Sequence, residues 1–210
     1  VFGLNKALNK CVGMFAFAVW DKKNKVLHLA RDRVGEKPLY YGFIGPKSDE
    51  TFVFGSELSA LRACKSFNNP INPIALSELI RYQVISAPNS IYEGISQLLP
   101  GHLLTLRSPK RSMLGDCYSW WDFTSVITKC INNQFADKTE SIFFLERALK
   151  QTVRLQSISD VPLGTFLSGG IDSSLITALL QSQCSSKVKT FTIGFEDSEY
   201  NEAPFSKSIA

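Results

Sequence analysis

Alternation is the first pattern in the chain. In residues 13–20, G-M-F-A-F-A-V-W, the bulky Phe15, Phe17 and Val19 alternate with the small Ala16 and Ala18. A period of two marks a strand, and apolar residues on both faces predict cover on both sides. The polar run from Asp21 through Lys22, Lys23 and Asn24 to Lys25 predicts a turn, after which residues 26–31 return as a second strand and close a hairpin. Residues 39–43 and 52–55 read as a further strand pair across the polar loop 45–51. A short helix is predicted over 57–63, capped by Glu57. Another begins with Asn72 as N-cap and Pro73 at the first helical position, where a missing N–H does no harm. Ala75, Leu76, Leu79 and Ile80 form its apolar face. Pro100 and Gly101 mark a turn before a strand over 102–106.

Regularity then lapses. Residues 108–138 read as a linker, with Trp120 and Trp121 anchoring one end by burial. Beyond it the period becomes helical. Leu145, Ala148, Leu149, Thr152 and Val153 share a face of a helix predicted over 140–156, and Asp137 three residues before Glu140 resembles a capping box. An apolar strand over 164–167, a glycine-rich loop over 168–174, a helix over 175–183 and a strand over 188–195 follow. Leu175, Ile176, Leu179 and Leu180 are expected on the inward face of that helix. A strand–loop–helix–strand unit implies a parallel pair with a right-handed crossover.

Composition changes this picture little. With 44% hydrophobic and 20% charged residues over 210 positions, the chain has the make-up of a globular protein with a true core. The net charge is +4, but Lys22, Lys23 and Lys25 flank a turn and Lys110 and Arg111 sit in a loop, so a solvated surface is expected and no nucleic-acid partner. Cys11, Cys64, Cys117, Cys130 and Cys184 form no C-x-x-C pair, and His28 and His102 add no zinc spacing. Reduced thiols in or near cores are expected, and with them a reducing, cytoplasmic setting. No apolar run reaches the roughly 18–20 residues that span a bilayer, so no membrane partner is expected. The chain begins at Val1 and ends at Ala210 inside a predicted helix, so both ends read as cut and a fragment of a longer protein is expected.

Candidate chemistry concentrates in residues 168–174, S-G-G-I-D-S-S. The first amides of a helix have no internal partner, and with the helix dipole they attract an anion. Gly169 and Gly170 permit close backbone approach, while Ser168, Ser173 and Ser174 add hydroxyl donors. Asp172 would repel a phosphate unless a cation intervened, so Mg²⁺ between its carboxylate and phosphate oxygens is the economical reading. The loop has no lysine and is not a Walker loop.

Loops of the S-G-G-x-D-S type resemble the pyrophosphate loop of N-type ATP pyrophosphatases. The wider sequence is similar to the glutamine-hydrolysing asparagine synthetase family. The resemblance is carried by S-D-V-P-L-G at 159–164 running into F-L-S-G-G-I-D-S-S, by K-T-F-T-I-G-F at 189–195, and by Tyr200, Asn201, Glu202 and Ala203. Upstream it is carried by G-M-F-A-F-A-V-W-D at 13–21, A-R-D-R-V-G-E-K-P-L-Y-Y at 30–41 and S-E-L-S-A-L at 56–61. The implied architecture is α/β overall, with an α+β first part. Residues 1–122 would be the later part of a class II glutamine amidotransferase domain, of the N-terminal-nucleophile-hydrolase stacked-sheet type. Residues 123–138 would be a linker, and 139–210 the start of a doubly wound parallel-sheet ATP-pyrophosphatase domain. The implied reaction uses ATP and Mg²⁺ to adenylate the aspartate side chain, releases pyrophosphate, and lets ammonia from glutamine displace AMP. The implied assembly includes a homodimer.

By the same resemblance, Ser168, Gly169, Asp172 and Ser173 match pyrophosphate contacts and Gly170 completes the loop. Phe166 matches a backbone contact to the nucleotide and Ile193 an apolar position beside adenosine; plain core packing is the alternative for both. The family's nucleophilic cysteine directly after the initiating methionine has no counterpart here. Cys11 is internal and is not expected to act as nucleophile, so the 210 residues alone are expected to be inactive. Arg31, Asp32 and Arg33 are expected to form a structural ion-pair network. Two alternatives stay open: an amidotransferase acting on another carboxylate, and a non-catalytic truncated product.

Overall fold

The computed structural model describes residues 3–107, 115–135 and 137–210. The chain divides into two compact units, Val1–Asn132 and Asn133–Ala210.

In the first unit, α1 (Leu4–Lys10) precedes the hairpin of β1 (Ala16–Asp21) and β2 (Val26–Arg31), then β3 (Tyr40–Ile44) and β4 (Thr51–Gly55). Next come α2 (Leu58–Arg62), α3 (Pro73–Tyr82), β5 (Ile95–Gln97), β6 (His102–Leu106), β7 (Asp116–Ser119) and α4 (Phe123–Ile131). The strands form two antiparallel sheets, ordered β1-β2-β6-β7 and β4-β3-β5. The first hairpin closes because the Asp21 carboxylate accepts the amides of Lys23 at 2.9 Å and Asn24 at 3.0 Å. Alternate residues of β2 then face different partners. Leu29 joins Leu104, Leu106, Leu98 and Leu39 in a core that Tyr41 and Phe52 of the second sheet also touch. Its neighbour Ala30 packs on the opposite face with Leu8 of α1, Leu103, Phe17 and Trp120. On the far side of the second sheet, Ile44 and Ile95 pack with Leu61 of α2. The layers therefore run helix, sheet, sheet, helix.

Asn72 caps α3, accepting the amides of Ile74 at 3.0 Å and Ala75 at 3.4 Å. Asn72→Ala is predicted to cost about 1 kcal/mol of stability, read as a lower urea midpoint at unchanged slope; an unmoved midpoint would refute this role.

The second unit contains α5 (Lys138–Gln156), β8 (Gly164–Phe166), α6 (Ile171–Gln181), β9 (Lys189–Phe191) and α7 (Ala203–Ile209). β8 and β9 are parallel. Val153 of α5 packs on Leu179 and Leu180 of α6, with Leu149 and Val188 at the margin. Asp137 caps α5 by accepting the Glu140 amide at 2.7 Å. Among the described residues no helix is long and apolar enough to cross a membrane.

Several expectations differ from the structure. β1 is a sheet edge, and Ala18, Val19 and Trp20 are exposed rather than covered on both sides. Glu57 holds the N-cap position of α2 but makes no cap bond; its carboxylate accepts the Ser59 hydroxyl instead. The irregular stretch contains β7 and α4, while 108–114 and 136 lie outside the described residues. The strand expected over 188–195 is only three residues long. Four of the five cysteines are exposed and Cys11 is half-buried, so the thiols do not fill cores.

Arg31 and Asp32 are both buried, yet each is satisfied by backbone. The Arg31 guanidinium donates to the carbonyls of Lys37 at 2.9 Å, Leu98 at 2.6 Å and Gly35 at 2.7 Å. Burial draws its pKa down from the ordinary value, and the charge of Asp32 opposes that shift. Arg33 donates to the carbonyls of Cys11 and Asn9 and lies over Trp120. The expected ion-pair network is thus a set of charge-to-backbone clasps. A buried charge gains more from several aligned backbone dipoles than from one imperfect ion pair.

Candidate pyrophosphate-binding site

The candidate site begins where a strand runs out. β8 ends at Phe166, and the buried Leu167 extends it by donating its amide to the Phe191 carbonyl at 2.9 Å. The chain must then leave the sheet and enter a helix within a few residues. Gly169 makes that turn at φ +86°, a region that strains any residue with a Cβ. A Cβ there would stand 2.6 Å from the Phe205 Cβ and 3.0 Å from the Ser206 amide nitrogen, so the backbone of α7 packs directly behind the loop.

Gly170 is the N-cap of α6 and brings no side chain to cap it. Ser174 is the first residue of the helix with an internal acceptor, donating to the Gly170 carbonyl at 3.1 Å. The amides of Ile171, Asp172 and Ser173 therefore open the helix with no intrahelical partner, at the positive end of its dipole. Ile171 is 87% exposed, so this first turn faces outward. The helix therefore opens four residues before the expected Leu175, and Leu175 and Ile176, expected on the inward face, are 43% and 39% exposed. Residues 171–174 form the first turn of α6, and three of these four residues are polar, so they carry no apolar period of their own.

Hydroxyls brace the turn. The Ser168 and Ser173 oxygens lie 2.9 Å apart, and the Ser168 amide donates to Ser173 Oγ at 3.2 Å. The Ser174 hydroxyl donates to the Gly170 carbonyl at 2.6 Å. Thr165 and Thr177 meet at 3.0 Å and tie β8 to α6. Asp172 is exposed in the first turn, and no described side chain pairs with it. Among the described residues no group of three or more His, Cys, Asp or Glu is arranged to hold a metal. One free carboxylate suits Mg²⁺ only when substrate phosphates supply other ligands, as is usual for that ion.

The structure thus gathers Ser168, Gly169, Gly170, Asp172 and Ser173 in a single turn. Phe166 and Ile193 stand at the same edge, because β8 and β9 are parallel and both end there. They are 79% and 67% exposed in this chain. Cys11 is the C-cap of α1, with its carbonyl held by Arg33. Sequence reading overlooked two residues, Thr192 and Ser206, whose hydroxyls both reach the Leu167 carbonyl, at 2.7 Å and 2.8 Å. No local signal marks them, since their partner lies 25 and 39 positions away.

Comparison with known proteins covers both units. Residues 2–121 match the model of the glutamine amidotransferase domain, and residues 145–210 match that of asparagine synthase. Asparagine synthetase (glutamine-hydrolyzing) 3 of Bacillus subtilis is 33% identical over 192 residues, covering 89% of this chain and 29% of that protein. Putative asparagine synthetase (glutamine-hydrolyzing) 2 of Methanocaldococcus jannaschii is 34% identical over 200 residues, covering 94% of this chain and 36% of that protein. Asparagine synthetase (glutamine-hydrolyzing) 1 of Bacillus subtilis is 32% identical over 205 residues, 98% of this chain and 30% of that protein. The chain spans about a third of the length of these curated relatives. With an amidotransferase segment followed in the same order by an asparagine synthase segment, the chain belongs to the glutamine-hydrolysing asparagine synthetase family.

Proposed function

We propose that this chain serves ATP-dependent synthesis of asparagine from aspartate, with ammonia drawn from glutamine. The single observation that carries the reading is the uncapped, outward-facing first turn of α6 behind Gly169. A carboxylate is a poor electrophile, and adenylation gives it a leaving group. The loop's part is to stabilise the charge of the departing pyrophosphate. The amides of 171–173 and the hydroxyls of Ser168 and Ser173 supply fixed donors for that charge, and Gly169 and Gly170 keep the approach open. Phe166 and Ile193 flank the nucleotide at the shared strand edge. Mg²⁺, held by Asp172 together with phosphate oxygens, would neutralise charge on the substrate and product.

In this reading residues 1–122 belong to a stacked-sheet glutaminase domain, 123–138 connect, and 139–210 open a doubly wound domain. No glutaminase chemistry is assigned to Cys11. The setting is cytoplasmic and the assembly homodimeric.

Calorimetry with pyrophosphate tests the site. Asp172→Ala is expected to weaken binding about tenfold, or about 1.4 kcal/mol, when Mg²⁺ is present. Without Mg²⁺ the same change should leave binding equal or slightly stronger, because a repulsive carboxylate has gone. Binding that is absent in the unaltered protein, or that ignores Asp172 in the presence of Mg²⁺, would overturn the assignment. In the intact enzyme, aspartate should support ATP-dependent AMP release where other carboxylates do not.

A further inference from the structure

The backing of the loop is as specific as the loop itself. Ser206 is 3% exposed, and a hydroxyl at that depth needs a partner. Its oxygen lies 2.8 Å from the Leu167 carbonyl and 3.0 Å from the Glu202 carbonyl one turn back on its own helix. A serine has one hydroxyl hydrogen, so the two acceptors compete. The Leu167 contact is the shorter. Thr192 Oγ1 donates to the same oxygen at 2.7 Å, from the residue after the end of β9. A carbonyl oxygen has two lone pairs, and here both face hydroxyls. Because β9 stops at Phe191, side chains take over where the parallel ladder ends. Leu167 is bonded directly to Ser168, so whatever holds its carbonyl sets the plane of the peptide that launches the loop. Behind Gly169, the same stretch of α7 stands close enough to exclude a Cβ.

We propose that Ser206 and Thr192 are positioning residues for the pyrophosphate loop, acting on it through the Leu167 carbonyl. This rests on the reading of residues 168–174 as an anion cradle, and goes beyond it by placing control of the cradle's aim on β9 and α7. Ser206 is buried behind the loop, and the Thr192 hydroxyl is turned to the Leu167 carbonyl. Loss of either hydroxyl frees the Leu167–Ser168 peptide to rotate and scatters the amides that must converge on one anion.

The test measures Mg²⁺-pyrophosphate binding by calorimetry, with melting temperature alongside, for Ser206→Ala, Thr192→Val, Thr192→Ser and the double variant Ser206→Ala with Thr192→Val. Each single loss should weaken binding about fivefold, as expected for one hydrogen bond of about 1 kcal/mol. The double variant should weaken it more than the product of the singles, because the carbonyl is then bare. Thr192→Ser keeps the hydroxyl and should bind as the unaltered protein does. In the intact enzyme the KM for ATP should rise in the hydroxyl-deleted variants and fall back in Thr192→Ser. Equal affinity across all variants, with the unaltered protein binding normally, would overturn the inference and leave the cradle standing. No binding by the unaltered protein would bring down the cradle reading and the inference with it. Should the double variant fail to fold, hydrogen exchange in the single variants decides. Faster exchange at the Gly169 and Gly170 amides, with Val153 unchanged, supports the proposal; unchanged exchange at all three overturns it.

Discussion

Gly169→Ala is expected to destabilise the second unit by about 3 kcal/mol and to abolish pyrophosphate binding. Two costs add. At φ +86° an alanine sits in a backbone region that costs it about 1 kcal/mol or more. The new Cβ would also meet the Phe205 Cβ at 2.6 Å and the Phe205 backbone carbon at 2.9 Å. Backbone cannot rotate aside, so α7 must shift or the loop must open, and overpacking of this kind costs about 1–3 kcal/mol. Gly170→Ala is the control. That residue has φ −74°, and an added Cβ there meets only the Ser168 hydroxyl, at 3.5 Å. Its stability should hardly move. The effect should appear as a lower urea midpoint in far-ultraviolet circular dichroism. An unshifted dichroism transition would contradict the described packing of α7 on the loop.

Asp32→Ala should lower stability, read by tryptophan fluorescence during urea unfolding, by about 3 kcal/mol. Asp32 is 1% exposed, and its carboxylate accepts three amides: Glu36 at 2.9 Å on one oxygen, and Lys37 at 2.9 Å and Phe15 at 3.3 Å on the other. Alanine leaves these donors without their acceptor, and a buried polar group stripped of its partner costs about 1–3 kcal/mol. It also removes the nearest negative charge from the buried Arg31, whose guanidinium depends on carbonyls of the same turn. Asp32→Asn retains one acceptor oxygen but turns an NH₂ group toward amide donors, so it should fall between alanine and the native residue. Trp120, whose indole donates to the Arg31 carbonyl at 3.2 Å, gives the local readout. A variant as stable as the native chain would show that Asp32 does not hold this turn together.

Much of the fold was legible where the physics is local. The β2 strand and the His102–Leu106 strand follow the apolar runs that predict them, and the hairpin between β1 and β2 closes on the polar turn at Asp21. Asn72 and Asp137 cap the helices they precede. Patterning failed where a residue's surroundings come from elsewhere in the chain. Phe15 and Trp120 stack at 6.0 Å although they are far apart in sequence, while Val19 and Trp20 in the same strand stand exposed at an edge. Alternation specifies which residues share a face but not what covers that face. The triplet Arg31, Asp32 and Arg33 reads as ion pairs because adjacent opposite charges suggest it. The structure turns each toward backbone groups instead, since adjacent residues point apart along an extended chain.

By itself the sequence determined the identity of the candidate loop, the family it belongs to, and the turns and caps that bound most elements. These follow from residue type, spacing and period over a few positions. Only the tertiary structure decided that the helix opens at Ile171 with its amides outward, that Phe166 and Ile193 share an exposed edge, and that Thr192 and Ser206 converge on the Leu167 carbonyl. The hydroxyls reach the Leu167 carbonyl across 25 and 39 residues, and at that range a partner is chosen by packing rather than by neighbours in the chain.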